Sequence, residues 1–317
     1  MTRFSTRLAS PLRRRLLGAA FAATAVSAST GRADVGAGAP ARQPIRRPIP
    51  ITGELVPAIG MGTWITFDAG SIQAARQQRL PVLQAFFDGG GAVIDSSPMY
   101  GTAESVVGEL LPQVRARGPL FAATKVWTLG RALGMLQMER SRQLWGVPRL
   151  DLMQIHNMLD WETHLGTLKA MKADGRIPYL GITTSHGSRH DAMARALTSE
   201  AFDFVQFTYN LAHRDVEARL LPLAAERRVA VIINRPFDGG NLFGAVRGRA
   251  LPAYAREIDC TAWSQLFLKF VIAHPAVTCA IPATSNPLHM VENMRALHGP
   301  LPDAALRVRM AQDFDAM

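Results

Sequence analysis

The chain has 317 residues, 48% of them hydrophobic, so it can bury a large core, and it carries a formal charge of +10. Residues 1–47 hold nine Arg against the single acid Asp34, a net of +8 that leaves only +2 for the remainder, so no nucleic acid or other polyanion partner is expected. Two cysteines, Cys260 and Cys279, make no disulfide framework; in apolar segments they read as small core residues.

At the N-terminus, Arg13-Arg14-Arg15-Leu16-Leu17 precedes an Ala-rich run to about Thr30, followed by a Gly- and Pro-rich stretch. That is the order of a secretory signal: basic region, apolar region, small-residue exit. Paired arginines followed by x-Leu-Leu resemble a twin-arginine signal, which exports proteins already folded. The expectation is therefore a signal peptide over 1–33, cleaved after Ala28 or Ala33, and a Pro-rich linker over 34–50. It makes the twin-arginine export machinery a partner and the periplasm or the exterior the destination. The apolar run is too short and too rich in Ala for a stable membrane anchor.

Past that linker, strand-like and helix-like segments alternate. Apolar runs at 59–64, 92–96, 121–125, 151–156, 179–184, 204–209, 230–234 and 277–283 predict strands. Helical periodicity marks 71–88, 103–111, 131–145, 161–174, 189–199, 215–227, 261–273 and 287–297. Eight strand–helix units over about 250 residues is the count of a (β/α)8 TIM barrel, expected here over 51–317. An open doubly wound sheet would also alternate, but no G-x-G-x-x-G follows an early strand.

In a barrel the active site is built where strands end, so polar residues at those ends become the candidates. They are Asp95 and Tyr100 after the second strand, Lys125 closing the third and His156 closing the fourth. A free Tyr, with a pKa of about 10, is a weak proton donor near neutrality. A Lys ammonium about 4 Å away, at an effective dielectric of about 20, favours the phenolate by about 4 kcal/mol, an upper limit near three pKa units. Asp95 can keep that ammonium charged, and His156 can hydrogen-bond a carbonyl oxygen where negative charge develops. Such a set polarises and protonates a carbonyl; the hydride must come from elsewhere. The chain has 31 Arg and only four Lys, so a Lys closing an apolar strand suggests that a compact ammonium is required there.

The segments Gly60-Met61-Gly62-Thr63-Trp64, Val93-Ile94-Asp95-Ser96-Ser97-Pro98-Met99-Tyr100-Gly101, Thr124-Lys125-Val126-Trp127 and Asp151-Leu152-Met153-Gln154-Ile155-His156 resemble ordered signatures of the aldo/keto reductase superfamily. So do the runs from Gly175 to Ile182, Val205 to Asn210 and Ile281 to Asn286, and the pair Glu292-Asn293. The resemblance implies a barrel interconverting aldehydes or ketones and alcohols with NADP(H), NAD(H) being the second candidate. By motif position it makes Tyr100 the general acid, Lys125 and Asp95 its tuning pair, and His156 the carbonyl orienter. It puts Gly62, Thr63, Trp64, Asp95, Thr184, Gln206, Phe237, Thr284, Asn286, His289, Glu292 and Asn293 at the cofactor, with Gln206 on the nicotinamide carboxamide. Trp64 and Trp127 would wall the pocket for a small-molecule carbonyl substrate.

Departures from the family pattern bear on function. Thr184 stands where Asn is frequent, and an aromatic that stacks on the nicotinamide is replaced near Asn234-Arg235. Ala283 and His289 stand where Lys and Arg commonly meet the 2′-phosphate, which wants a permanent charge. These changes leave a second expectation: a nucleotide-holding barrel that senses or docks with little turnover. His186 and His190 have helical metal-ligand spacing, but no Glu follows the first His and no third ligand is evident, so no metal is expected.

Overall fold

The computed structural model describes residues 43–185 and 187–317. The expected signal peptide, the first part of the expected linker and His186 lie outside the described residues.

Strands β1 (Arg46–Pro48) and β2 (Leu55–Pro57) pair antiparallel as a hairpin, so part of the stretch read as linker is a strand. The eight barrel strands follow: β3 (Met61–Gly62), β4 (Val93–Asp95), β5 (Phe121–Val126), β6 (Leu152–Ile155), β7 (Tyr179–Thr183), β8 (Phe204–Thr208), β9 (Ala230–Asn234) and β10 (Cys279–Ala280). Each lies parallel to the next in chain order. Parallel bridges Ile59–Ala280 and Gly62–Ala283 join the first to the last and close the ring. All eight stand where alternation placed them, the first and last shorter than expected. Closure is tight at that seam. A Cβ on Gly60 would come 2.7 Å from the Val93 carbonyl oxygen, and one on Gly62 2.9 Å from that of Ile281. Glycine is therefore required there by strand packing.

The helices are α1 (Gln73–Gln77), α2 (Leu80–Asp88), α3 (Ala103–Leu110), α4 (Arg131–Trp145), α5 (Trp161–Ala173), α6 (His190–Ser199), α7 (Leu220–Glu226), α8 (Asn241–Ala245), α9 (Trp263–Ile272), α10 (Pro287–Arg295) and α11 (Ala304–Asp315). The single helix expected over 71–88 breaks at Arg79, because Pro81 suits a first turn and not a helix interior. Helix α4 buries Gly134, Met138, Ser141 and Trp145, steps of four, three and four that lay one face on the barrel. None of the helices among the described residues is long and apolar enough to cross a membrane.

Along β5 the side chains of Phe121, Ala123 and Lys125 share one face, as period two requires. That face points inward. Phe121 and Ala123 join Val93, Leu152, Tyr179, Phe204, Ile232 and Cys279 in an apolar filling, which the hairpin closes from below with Ile49 and Val56. Tyr179 also donates to Glu54 at 2.6 Å, tying the plug to β7. The barrel is thus packed at its N-terminal end, and its inward polar residues rise toward the opposite mouth.

Candidate active site

At that mouth the four expected residues converge. Asp95 ends β4 and Lys125 sits in β5, and the two form a salt bridge through Asp95 Oδ2 with both side chains sealed from solvent. Lys125 Nζ also donates to the Ser96 carbonyl at 2.8 Å and stands 5.1 Å from the centre of the Tyr100 ring. Tyr100, half-buried in the loop before α3, meets the His156 ring edge-to-face at 5.6 Å. His156 follows β6 directly, and its Nδ1 lies 2.8 Å from Ser97 Oγ.

A second layer lies beneath this one. Asp95 Oδ1 accepts hydrogen bonds from Gln154 Nε2 at 2.8 Å and Gln206 Nε2 at 3.1 Å. Gln154 was not singled out from the sequence. It precedes His156 by two, so the period of a strand already placed it on the inner face. Gln206, expected on a nicotinamide carboxamide, is buried; it points its amide at Asp95 and Gln154, and its Oε1 lies 3.4 Å from Asn234 Nδ2.

The charges settle accordingly. Burial works to lower the Lys125 pKa, but Asp95 and the Tyr100 phenol outweigh it, so the ammonium is held above its ordinary value. Burial, with the Lys125 charge adding to it, depresses His156 to about 3, so its imidazole is neutral in the working range. For Tyr100 the sequence-based expectation is reversed. Burial raises the phenol's pKa and Asp95 raises it further, against the lowering by the Lys125 charge and hydrogen bond. The physical reason is desolvation first: burial disfavours the charged phenolate, and the ammonium that would favour it is opposed by the Asp95 carboxylate beside it.

The remaining residues frame the mouth. Trp64, which follows β3, is 42% exposed and Trp127, which follows β5, 41%, with the Trp127 ring tilted against that of His156 at 6.5 Å, so neither is core. Thr63 Oγ1 donates to the Asp95 carbonyl at 3.0 Å. Thr184 is buried, its N–H on the Gln206 carbonyl and its own carbonyl accepting from Asn234. Phe237 packs on Phe243 and Phe267, which anchors the loop holding Gly239 and Gly240 at positive φ. Thr284 and Asn286 shape the turn into α10, where the Asn286 side chain caps the helix at Leu288 N, 2.9 Å away. His289 is exposed on that helix, Glu292 accepts from Ser264 Oγ at 3.3 Å, and Asn293 is buried.

Backbone strain concentrates at the same end. Of nine non-glycine residues at positive φ among those described, seven lie in the loops leaving β3, β6 and β9: Ile65, Asn157, Met158, Asp160, Arg235, Asp238 and Asp259. Strain of this kind persists where the surroundings over-determine a conformation; all of these but Asp259, which packs against Gly299 beyond α10, follow directly on strand ends at the mouth. A groove of about 680 Å³ between α2 and α10, lined by Leu80, Pro81, Ala85 and Met294 among others, contains none of these titratable groups. The chemistry places the site at the mouth. Among the described residues no three His, Cys, Asp or Glu could hold a metal, and His190 instead pairs with Asp215 at 2.6 Å.

Comparison with known proteins agrees with this geometry. The chain is 27% identical over 259 residues to methylglyoxal reductase YeaE of Escherichia coli, covering 79% of this chain and 89% of that protein. It is similar to an aldo-keto reductase from Klebsiella pneumoniae solved in complex with NADPH, with a TM-score of 0.69 and 28% identity over 83% of this chain and 92% of that one. The glycerol dehydrogenase from Gluconobacter oxydans shares the fold, with a TM-score of 0.69 at 19% identity, covering 86% of this chain and 95% of that one. The model of the aldo/keto reductase family matches residues 58–307, from the seam of the barrel to its last helix, and the chain belongs to that family.

Proposed function

We propose that the mouth interconverts a neutral aldehyde or ketone and its alcohol, with NADP(H) as the hydride partner. The observation that carries this reading is the convergence of a sealed Lys125–Asp95 pair, a phenol and a neutral imidazole in one half-open cleft. A carbonyl oxygen lying between Tyr100 and His156 would take a hydrogen bond from each. As that oxygen gains charge, Tyr100 gives up its proton, and the adjacent ammonium stabilises the phenolate left behind. A phenol with a raised pKa suits this role: it stays protonated at neutral pH and yields only to a base as strong as an alkoxide. Asp95, held by two amides, keeps Lys125 charged throughout.

None of these side chains can supply a hydride, and the dihydronicotinamide, when bound, would supply it. The residues present fit such a group at the mouth. The Phe237 loop with its positive-φ glycines suits a pyrophosphate, and the turn from Thr284 through Asn286 to the first turn of α10 suits the adenosine end. Ala283 and the exposed His289 offer no permanent charge to a 2′-phosphate, which keeps NAD(H) as the second candidate. Trp64 and Trp127 favour a carbonyl carried on an apolar or flat group. The decisive assay mixes purified protein and NADPH, then NADH, with a panel of aldehydes that includes methylglyoxal, the substrate named for the E. coli relative. Consumption of neither nucleotide with any member would overturn the reading and favour a sensing or docking barrel.

The N-terminal segment supports a further reading, that the protein is exported by the twin-arginine route to the periplasm or the exterior, on the strength of Arg13-Arg14-Arg15-Leu16-Leu17 and the Ala-rich run after it. Replacing Arg13 and Arg14 by Lys should retain the protein in the cytoplasmic fraction. Unaltered fractionation would sink this part alone.

A further inference from the structure

We propose that Ser97 sets the tautomer of His156, keeping the ring proton on Nε2, where a substrate oxygen can receive it. The inference rests on the carbonyl-reducing reading of the mouth and makes Ser97 a positioning residue for that reaction.

The argument is a count of protons in a sealed place. Ser97 is 0% exposed. Its hydroxyl oxygen accepts the Met99 N–H at 3.2 Å and lies 2.8 Å from His156 Nδ1. No other partner of that hydroxyl exists among the described residues. If Nδ1 carried the ring proton, Ser97 Oγ would accept two hydrogen bonds, and its own proton would be left buried with nowhere to go. If Nδ1 carries the lone pair, Ser97 accepts from Met99 and donates to the ring, and every group is satisfied. The second arrangement puts the ring proton on Nε2.

Nε2 is placed to use it. It bonds to no protein group among the described residues, yet it is not one of the sealed and unpartnered polar atoms, which are Arg47 Nε, Thr66 Oγ1, His164 Nδ1, His190 Nε2 and Gln265 Nε2. It opens on the mouth beside Tyr100. The ring is held by Ser97 and by the Tyr100 and Trp127 rings, and the turn after it is fixed: Asn157 at φ 50 donates its N–H to Thr183 Oγ1 at 3.0 Å, and its side-chain oxygen accepts from the Ser185 N–H at 3.1 Å. Protonation does not blur the choice, since burial and the neighbouring Lys125 keep the imidazole neutral.

The test pairs a spectroscopic readout with kinetics. In protein labelled with nitrogen-15 at histidine, the His156 signals, assigned by their loss in His156→Gln, should show a protonated Nε2 and a lone-pair Nδ1. Ser97→Ala should mix the tautomers and lower kcat for aldehyde reduction by about tenfold or more, the direction expected when a catalytic imidazole loses its orienting partner. Affinity for NADPH, read by protein fluorescence, should stay within about twofold, because Ser97 touches no part of the expected nucleotide path. Ser97→Thr, which keeps the hydroxyl, should restore both signals and rate. A Ser97→Ala protein that retains a single protonated Nε2, or that mixes tautomers at unchanged kcat, overturns the proposal. Wild-type protein that reduces no carbonyl overturns the functional reading instead, while the nitrogen spectra still decide what Ser97 does.

Discussion

Two of the four lysines are sealed inside the molecule, Lys125 at the mouth and Lys269 in α9, and their surroundings differ in kind. Lys125 contacts a carboxylate and a phenol, both of which change or share charge in the proposed reaction. Lys269 donates to three backbone carbonyls, of Ile258 at 2.5 Å, His298 at 2.7 Å and Pro300 at 3.1 Å. Carbonyls cannot titrate, so Lys269 acts as a staple binding α9 to the chain beyond α10. Burial alone therefore does not identify a catalytic ammonium. What distinguishes the mouth is that the ammonium there is shared between a carboxylate and a half-buried phenol that faces the cleft.

The contrast breaks most sharply on paired substitutions. Tyr100→Phe should cut carbonyl reduction by about 10²–10⁴, the range for losing a general acid, with nucleotide affinity and unfolding temperature nearly unchanged. Lys125→Met should lose activity comparably and also stability, by about 3–5 kcal/mol, because Asp95 is left buried without its cation. Turnover within about threefold of wild type in either variant would remove the mouth from the mechanism.

Acid provides the next largest separation. The unfolded chain takes up a proton on His156 near pH 6.5, the folded chain only near 3. Between those values the unfolded state binds more protons, so stability falls as pH drops through that window, by as much as about 4 kcal/mol at its lower end. Urea unfolding midpoints from pH 7 to 4 should show this slope, and His156→Gln should flatten it. A slope unaltered in His156→Gln would mean that the imidazole is not the desolvated group described.

Much of this was legible in the sequence, and the parts that were not share a cause. The eight strands and the residues Asp95, Tyr100, Lys125 and His156 follow from local pattern, since apolar runs and their polar ends are properties of short segments. The hairpin strand Arg46–Pro48 was hidden by its prolines, which suggest a linker until Val56 and Ile49 are seen closing the barrel. Helix α11 was missed although Asp303 caps it at Leu306 N and Leu306, Met310 and Phe314 repeat every four residues. It is held by packing of Met310 and Phe314 on the core and by Arg307 reaching Glu217 at 2.6 Å, a contact across 90 residues. The direction of the Tyr100 shift was illegible for the same reason. A single Lys–Tyr pair argues for acidity, while the sum over Lys125, Asp95 and burial argues the other way, and sums need coordinates.

The staple should fail differently from the mouth. Lys269→Met would leave buried carbonyls without donors at about 1–3 kcal/mol for each group that water cannot reach, so a loss on the order of 3 kcal/mol is expected. Activity per folded molecule should stay near wild type, and the acid limb owed to His156 should persist. Loss of kcat in folded Lys269→Met protein would show that the two lysines are coupled, and the distinction drawn between them would collapse.

The smallest effect expected is at the rim. Trp64 and Trp127 flank the cleft but neither touches the Lys125–Asp95 pair, so their truncation removes binding surface without altering proton transfer. A half-exposed aromatic contributes about 1 kcal/mol to holding a flat ligand, so Trp127→Ala should raise KM for an aromatic aldehyde about fivefold and leave kcat within about twofold. The same change should matter less for methylglyoxal, which is too small to cover the indole. Because Trp127 lies nearer His156 than the open rim does, a fall in kcat with KM unchanged would reassign it from the wall to the support of the imidazole, and would extend the catalytic layer outward by one residue.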